Sequence, residues 1–562
     1  MSHTATLLIE LRTEELPPKA LAQLSDTFAQ HIHSELIRLG FMSTQAAVQT
    51  FATPRRLAVS LANVQALQPD QTLERKGPAV NSALDAEGKP TKALEGFLRS
   101  TGLTLADLTR RIEGKAEYFV AAIHQTGTAL SQHLAQIVET ALKKLPIPKL
   151  MRWGNSDIQF VRPVHGLVML HGEQIITGQV LGLSSGRTTL GHRFLSHGEL
   201  SLPHAEAYAD TLRTQGYVMA SFQDRQAHIA AQLAAAAEQE GARLVDNAAL
   251  LAEVTALVEW PVVYVGEFEE DFLRVPQECL ILTMQQNQKY FPLLDEKGKL
   301  RSRFLIVSNL ATTDPQPIIQ GNARVVRARL ADARFFFDQD RKTRLDSRVA
   351  KLAQVIYHNQ LGTQAQRVER LVNLAGKIAA ALNCDVEQAQ RAAYLAKADL
   401  VSDMVGEFPE LQGIMGQYYA AHDGETSLVA QAIAEHYYPR FAGDRLPSTP
   451  IATAVALADK LDTLVGIWSL GQIPTGDKDP FALRRHALGV MRMLVEQQLP
   501  ISPAALLDWS AATFPKGQIT AEALDKLHTF LFERLRNLRK DRFALDEIDA
   551  VLAVMPPLSE LD

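Results

Sequence analysis

The sequence predicts a multidomain α+β protein, and three observations support this prediction. The chain has 562 residues, whereas a single hydrophobic core rarely serves more than about 250–300 residues. Strand and helix patterns are mixed in the first half of the chain. Helical periodicity dominates from about residue 322 onward. We therefore expect N-terminal α+β domains, a β-rich domain, an all-α domain and a helical tail.

The first predicted region, residues 1–145, combines strands with one long helix. The stretch "ATLLIELRTEELPPKAL" indicates a strand and a Pro-Pro break, followed by a helix from Lys19 to about Leu39. Two further strands are indicated by "FATPRRLAVSLANV" and "AEYFVAAIHQ". Turn-rich segments separate these elements, so we interpret this region as an α+β unit.

The second predicted region, residues 146–330, is rich in strands. It opens with a linker between prolines, "LPIPKLMRWG". The following stretch, "IQFVRPVHGLVMLHGEQIITGQVLG", has the alternating and continuous apolar runs of strands. A long Ala-rich helix, "DRQAHIAAQLAAAAEQEGA", interrupts it. We therefore expect a β-rich domain with a helical insertion.

The remainder is predicted to be helical. We expect an all-α domain over residues 331–500 and a helical tail over 501–562. Apolar residues at helical spacing predict helices over 345–382, 386–404, 426–438, 450–468, 479–498 and 521–539.

Charge and cysteine content narrow the functional classes. The formal net charge is −6, so a nucleic-acid partner would need a locally positive surface. Cys279 and Cys384 are far apart and have no CxxC spacing, which argues against a disulfide framework or a zinc ribbon. No signal peptide and no apolar run of about 18 residues is found. We therefore expect a cytoplasmic protein without a membrane partner.

The strongest basic run is "GNARVVRARLADARFFFDQDRKTR", residues 321–344. On one helix, five of its cations fall within an arc of roughly 100°: Arg324, Arg327, Arg334, Arg341 and Lys342. A polyanion could bind along this stripe and release counterions. The alternative is an amphipathic helix whose charged face is only solvated.

Two further basic runs have the same two interpretations. One is "FERLRNLRKDRF", with Arg536, Arg539 and Lys540. The other is "DPFALRRHALG", where Arg484 and Arg485 follow a helix start at Pro480. Cations in a first helical turn oppose the helix dipole, which favours a partner anion or a buried carboxylate.

The helical region has an incomplete metal-ligand pattern. His358, which we place in a helix, Asp399 and Asp459 follow the order of HD-type phosphohydrolases, but Ala398 stands where the His of the His-Asp pair belongs. A site that lacks an imidazole ligand binds a divalent ion poorly, and Lys397 would repel the ion. We therefore predict a degenerate site without metal.

No local motif supplies a catalytic nucleophile and base. The sequence contains no G-x-S-x-G, H-E-x-x-H or Walker loop. We therefore assign no catalytic residue to this chain and expect a scaffold or binding subunit. A metal-dependent phosphohydrolase and a purely structural assembly protein are the alternatives.

Ten sequence blocks together resemble the beta subunit of bacterial glycyl-tRNA synthetase. They lie in one order across nearly the whole chain: "TEELPPKAL" (13–21), "ATPRRLAV" (52–59), "KLPIPKLMRWG" (144–154), "FVRPVHGLVML" (160–170), "GHRFL" (191–195), "VEWPVV" (258–263), "QKYFP" (288–292), "RLADARFFFDQDRK" (329–342), "FAGDRLPS" (441–448) and "GDKDPFALRRHALG" (476–489).

The resemblance implies a division of labour between two chains. A separate alpha chain of an α2β2 enzyme would hold the class II site that makes glycyl-adenylate, using ATP and Mg²⁺. The beta chain would bind tRNA(Gly) and need no cofactor of its own, and no DNA partner is implied. The resemblance also makes the middle region similar to a B3/B4 domain and the helical region similar to an HD domain with degraded ligands.

The same resemblance bears on three further features. Arg55 and Arg56 lie in a shared block, so we expect them to organise an interface with the alpha chain or a neighbouring domain. Arg12 stands where the family usually has Gly, so we expect a locally altered turn. The family continues with a helical anticodon-binding domain, which we expect this chain to lack because it ends at "PPLSELD".

Overall fold

The computed structural model describes residues 4–85, 89–114, 116–540 and 542–553. The chain divides into two compact units. The first comprises Met1–Glu267 and Lys289–Ala323, and the second comprises Phe268–Gln288 and Arg324–Asp562. The first mixes strands and helices and the second is almost entirely helical, so the predicted multidomain α+β class is confirmed.

The strands are short and most of them lie in the first unit. Their bounds are β1 Thr4–Thr13, β2 Val48–Thr53, β3 Arg56–Gln65, β4 Gln71–Ala79, β5 Leu108–Glu113, β6 Ala116–Gln125, β7 Met151–Arg152, β8 Gln159–Phe160, β9 Val164–His171, β10 Gln174–Ile175, β11 Gln179–Val180, β12 Leu183–Ser184, β13 Thr188–Leu190, β14 Glu199–Ser201, β15 Arg243–Leu244, β16 Val262–Glu267, β17 Phe291–Leu294, β18 Leu300–Ser308, β19 Ile356–His358 and β20 Gly362–Thr363.

The α-helices dominate the second unit. Their bounds are α1 Leu21–Arg38, α2 Val80–Ala83, α3 Lys92–Thr101, α4 Leu134–Lys143, α5 Tyr208–Thr214, α6 Phe222–Gln239, α7 Ala248–Thr255, α8 Gln277–Gln288, α9 Gln316–Asp340, α10 Leu345–Arg348, α11 Gln364–Ala381, α12 Val386–Leu395, α13 Asp403–Glu407, α14 Ile414–His422, α15 Ser427–Glu435, α16 Pro450–Ser469, α17 Leu483–Glu496, α18 Pro503–Ala511, α19 Ala521–Arg539 and α20 Leu545–Ala553. Short 3₁₀ turns lie at Pro18–Ala20, Leu105–Asp107, Leu130–Gln132, Ala205–Ala207, Glu270–Arg274, Val349–Gln354, Ala398–Val401 and Pro409–Leu411.

A five-stranded antiparallel sheet forms the centre of the first unit, in the order β10-β9-β1-β3-β2. Alternate residues of β1 point to opposite faces, because side chains alternate along a strand. Leu7, Ile9 and Leu11 belong to the core that includes residues of α1 and α4, whereas Leu8 packs in a second core with Tyr208 of α5. Both faces of the sheet are therefore covered.

Besides three two-stranded pairings, the first unit contains two smaller sheets. Strands β4, β6 and β5 form one of them, and β15, β17, β18 and β16 form the other. Residues of α6 and α7, including Ile229 and Val254, pack with Leu293 and Leu305 of the second of these sheets. The central sheet takes strands from both of the first two predicted regions. The four domain ranges stay predictions.

Helix α16 is the centre of the second unit. Its residues from Ile451 to Trp468 are all buried, and it contacts α11, α15, α17 and α18. A helix surrounded on all sides needs no polar face, which explains the apolar character of "PIATAVALADKLDTLVGIWS". Within the described ranges, no helix combines the length and apolarity required to cross a bilayer.

Three local expectations are wrong. His358 ends the short strand β19 and does not lie in a helix, because the predicted helix over 345–382 is interrupted and resumes only at Gln364. Arg12 lies inside β1, opposite Gly166 and Arg56, so no turn is present there. Helix α17 begins at Leu483 and not near Pro480, since Ala482 before it has a left-handed φ of 54°.

Candidate nucleic-acid interface

The basic stripe of residues 321–344 lies on α9 and on the segment after it. Arg324 and Arg327 are exposed on the helix. Two of the stripe's arginines already have carboxylate partners in the second unit. Arg327 pairs with Glu269 at 2.6 Å and Arg334 pairs with Asp271 at 2.7 Å. These two guanidinium groups are therefore neutralised locally.

The other three cations of the stripe have no carboxylate within 4 Å in the described part of the chain. Arg324 lies on α9, whereas Arg341 and Lys342 follow its last residue, Asp340. Arg341 shares a 3.0 Å hydrogen bond with the imidazole Nδ1 of His422, and Lys342 donates to Gln339. Free charges of this kind can neutralise phosphates. Within the basic stripe, these three side chains therefore remain candidates for RNA binding.

Arg484 and Arg485 lie in the first turn of α17. The carboxylate of Asp479 accepts hydrogen bonds from the backbone amides of Leu483 at 2.8 Å and of Arg484 at 3.0 Å. Asp479 thus satisfies two backbone amides at the start of α17, which begins three residues after Pro480. The described residues place no carboxylate within 4 Å of either guanidinium group, so both remain candidates for anion binding.

The basic residues near the end of α19 differ in their surroundings. Arg536 forms a bidentate pair with Asp549, at 2.5 and 2.7 Å. Arg539 is half-buried and lines an apolar groove with Phe543 and Ile548. Lys540 is exposed. Of the three, only Lys540 is exposed and also has no carboxylate within 4 Å among the described residues.

Arg55 and Arg56 have different environments although they are adjacent. Arg55 is partly exposed and pairs with Glu15 at 3.1 Å. Arg56 is 2% exposed and lies between two carboxylates, Glu10 at 3.3 Å and Glu259 at 3.5 Å. It also donates to the carbonyl of Leu190 at 2.9 Å. Arg56 therefore joins β3 to the segment around Glu259 inside the first unit, and its side chain is not available to a second subunit.

Of the positions expected at a degraded metal site, only Asp459 belongs to a buried ion cluster, which we define as Arg367, Arg370, Lys397, Asp459 and Asp462. The Lys397 ammonium lies 2.8 Å from the Asp459 carboxylate, and Arg367 lies 3.1 Å from it. Asp462 accepts from Arg367 and Arg370. The carboxylates of Asp459 and Asp462 are therefore both paired with cationic side chains of the protein.

Electrostatics within the buried ion cluster agree with this geometry. Burial disfavours the charged form of Asp459, yet Lys397 and Arg367 hold its pKa well below the usual range. Burial lowers the pKa of Lys397 to about 8, although Asp459 opposes this effect. His436, whose Nε2 is 2.8 Å from Lys397, has a pKa lowered by burial and by that ammonium.

Asp399 and His358 do not complete a metal site. Asp399 is fully buried, and its Oδ2 accepts from the amides of Gly413 at 2.6 Å and Gly416 at 2.9 Å. Ala398 beside it is also buried. His358 instead stacks on Phe481 and accepts from the amide of Gln360. The described residues contain no group of three or more potential ligands, and the cations around Asp459 do not fit a divalent ion.

Several of these partners were not anticipated from the sequence. Arg367 and Arg370 lie one helical turn apart on α11 and reach a helix about 90 residues away in the chain. One signal was present: Asp459 and Asp462 are three residues apart in an otherwise apolar helix. Charged residues are rarely buried without partners, so this spacing indicates buried cations opposite α16.

Comparisons with known proteins identify the family to which the chain belongs. The family model described as "Glycyl-tRNA synthetase beta subunit" matches residues 7–553. A glycine--tRNA ligase beta subunit of Aromatoleum aromaticum is 56% identical over 566 residues, covering 100% of this chain and 81% of the relative. Its counterparts in Neisseria meningitidis serogroup A and Ralstonia nicotianae are 55% and 54% identical, each covering 98% of this chain and 80% of the relative. The chain belongs to the glycyl-tRNA synthetase beta subunit family.

Proposed function

We propose that this chain is the tRNA-binding beta subunit of a glycine–tRNA ligase and supports an alpha subunit in attaching glycine to tRNA(Gly). The observation that carries the proposal is the family match over residues 7–553. Full-chain relatives at 54–56% identity support it further. Glycine activation with ATP and Mg²⁺ then takes place on the alpha chain, in an α2β2 assembly.

The charges of the second unit support a role in RNA binding. Among the described residues, Arg324, Arg341 and Lys342 have no carboxylate within 4 Å, and neither do Arg484 and Arg485. Each phosphate that such a group neutralises releases counterions and strengthens binding at low salt. We assign the first contact with tRNA to these five side chains.

The buried ion cluster supports a non-catalytic role for the helical unit. Lys397 and Arg367 pair with the carboxylate of Asp459, so protein cations take the place that a metal ion would have beside this side chain. This arrangement disfavours the phosphohydrolase alternative. We interpret residues 331–500 as an HD-like domain used as a scaffold, and residues 146–330 as a B3/B4-like domain. The free thiols of Cys279 and Cys384 suit the reducing cytoplasm that we expect for the enzyme.

Glycylation of tRNA(Gly) by purified alpha chain, with and without this protein, tests the proposal. We expect charging only when both chains are present, and a steep fall in tRNA affinity as the salt concentration rises. The protein alone should show no glycine-dependent exchange of pyrophosphate into ATP. Charging by the alpha chain at the same rate without this protein would refute the proposal.

A second measurement separates the proposal from a purely structural role. The variant Arg324→Gln/Arg341→Gln should form the α–β complex normally but bind tRNA more weakly. A structural assembly protein would instead show unchanged tRNA affinity in this variant. Metal-dependent phosphatase activity of the wild-type chain, lost in Asp459→Asn, would favour the phosphohydrolase.

A further inference from the structure

A basic cavity in the first unit takes no part in the function described so far. Its volume is about 530 Å³, which is within the usual range for small-ligand sites. Segments from separate parts of the chain meet there, from β1, from the β2–β3 turn and from the loop after β13. Its lining includes Arg12, Arg55, His165, His192, Arg193 and Glu259.

His192 lines this cavity and has a buried ring nitrogen without a partner among the described residues. The side chain is 1% exposed. Its Nδ1 accepts hydrogen bonds from the backbone amides of Phe194 at 3.2 Å and Leu195 at 3.3 Å. An Nδ1 that accepts has no hydrogen, so in the neutral ring the proton is on Nε2. Nε2 is buried and has no partner among the described residues, and a buried donor of this kind requires an acceptor.

Two of the cavity's arginines also lack an anionic partner. Arg55 and Arg56 are paired with carboxylates. By contrast, the described residues place no carboxylate within 4 Å of Arg12 or Arg193. Arg12 donates from Nη2 to the carbonyl of His165 at 3.2 Å, but its Nε is buried without a partner. Among the described residues, the lining of the cavity therefore includes two arginines without a carboxylate partner and two buried ring or guanidinium nitrogens without a hydrogen-bond partner.

An exposed aromatic ring lies next to these donors. Phe194 is 69% exposed, and its ring centroid is 6.2 Å from that of His192. The guanidinium carbon of Arg193 lies 5.7 Å from the centre of the same ring. An exposed ring beside a cation can stack a nucleobase while the cation binds the phosphate. A carboxylate ligand would use the arginines but would leave the ring exposed, so the combination favours a nucleotide over an acidic peptide.

We propose that this cavity binds an unpaired nucleotide of RNA. Its phosphate would be held by Arg12 and Arg193, an acceptor atom would be bound by the Nε2–H of His192, and its base would stack on Phe194. This inference rests on the proposed function, because the nucleotide would belong to the tRNA that the chain is proposed to bind. It assigns a second RNA contact, separate from the basic residues of the second unit.

Fluorescence anisotropy with a labelled single-stranded RNA tetranucleotide tests the site on the full chain. His192→Asn retains an acceptor near the Nδ1 position for the two amides and removes the Nε2–H. We expect it to weaken binding about five- to tenfold without changing the salt dependence. Arg193→Gln should weaken binding and reduce the slope of log K against log salt by about 0.7, the contribution of one single-strand phosphate.

Phe194→Leu is a variant that we do not expect to destabilise the fold. The Phe194 side chain is exposed, so shortening it creates no void in the core. The variant should weaken RNA binding about fivefold or more, as expected when a stacking ring is lost. The matched control is Arg99→Gln, which removes another exposed arginine, on α3. The control should bind the tetranucleotide as tightly as the wild type does.

The outcomes separate this inference from the proposed function. If the wild type binds tRNA but all three cavity variants bind the tetranucleotide like Arg99→Gln, the inference is wrong and the proposed function stands. If an acidic tetrapeptide displaces the labelled RNA more effectively than adenosine 5′-monophosphate does, the cavity is a peptide site and the inference is also wrong. A wild-type chain that binds no tRNA, alone or with the alpha chain, would instead refute the proposed function.

Discussion

Arg55 and Arg56 show how strongly the environment of a residue decides its role. The two side chains have the same chemistry, but Arg56 is buried between Glu10 and Glu259, whereas Arg55 forms a partly exposed pair with Glu15. Removing one member of a buried ion pair leaves an uncompensated charge away from water. An exposed pair is screened by solvent and contributes little.

The adjacent substitutions Arg56→Gln and Arg55→Gln therefore form a matched pair. We expect Arg56→Gln to lower the free energy of unfolding by about 3–5 kcal/mol. Arg55→Gln should lower it by no more than about 1 kcal/mol. Urea denaturation followed by circular dichroism measures both values. Equal effects for the two variants would contradict the assignment of Arg56 to the interior.

The buried carboxyl group of Asp399 predicts how the free energy of unfolding depends on pH. Burial raises its pKa from 3.8 to about 6, against the opposing effect of the amides of Gly413 and Gly416. Between about pH 3.8 and 6, Asp399 therefore keeps its proton in the folded chain and releases it in the unfolded chain. The resulting stabilisation is complete below about pH 3.8 and is lost as the pH rises through 6.

Asp399→Asn removes this titration and serves as the reference. Relative to the variant, the wild type should lose about 2 kcal/mol of unfolding free energy between pH 4.5 and 6.5. Urea denaturation of both proteins in half-unit pH steps gives the difference directly. A difference that stays constant over this range would show that Asp399 is ionised throughout.

At the scale of elements, regular helices are predictable from the sequence and irregular junctions are not. Helix α19 has the predicted bounds and α16 ends one residue beyond the prediction, because their apolar spacing is uninterrupted. The start of α17 depends on Ala482 adopting a left-handed conformation while the Asp479 side chain reaches Leu483. Such a junction is determined by backbone conformation and side-chain-to-backbone hydrogen bonds, which the spacing of apolar residues does not encode.

In the candidate site too, some features could be predicted from the sequence and others could not. The positions of the basic residues on α9 follow from helical geometry. Which of them are neutralised does not, because the partner carboxylates Glu269 and Asp271 lie about 60 residues away in the chain. The same holds for Lys397 and Asp459. Sequence reasoning therefore located the charges, but the structure was needed to identify the free ones.

This distinction between free and paired cations predicts different salt dependences. Arg324→Gln/Arg341→Gln removes two free cations, so the slope of log K for tRNA against log salt should fall by about 2. Arg327→Gln/Glu269→Gln removes one whole ion pair and leaves the net charge unchanged. We expect this control to leave the slope within about 0.5 of the wild-type value. A filter-binding assay over several salt concentrations measures both slopes, and equal slopes would argue against α9 as an RNA-binding element.

At the scale of the whole molecule, the two compact units have separate stabilising networks. Arg56, Glu10 and Glu259 belong to the first unit, and Lys397 and Asp459 belong to the second. Each network is buried and includes ion pairs. Removing one partner of such a pair strongly lowers the free energy of unfolding.

We therefore expect two transitions when the full chain is heated in a scanning calorimeter. Arg56→Gln should lower the midpoint of one transition by several degrees, and Lys397→Met should lower the midpoint of the other, because each variant disrupts the ion pairs of one unit. In the combined variant Lys397→Met/Asp459→Asn, much of the second loss should be recovered, since the carboxylate that lost its ammonium partner is also removed and Arg367 keeps its pair with Asp462. If Arg56→Gln and Lys397→Met instead shift one common transition equally, the units fold as a single cooperative body, and the buried ion cluster stabilises the whole chain and not only its helical part.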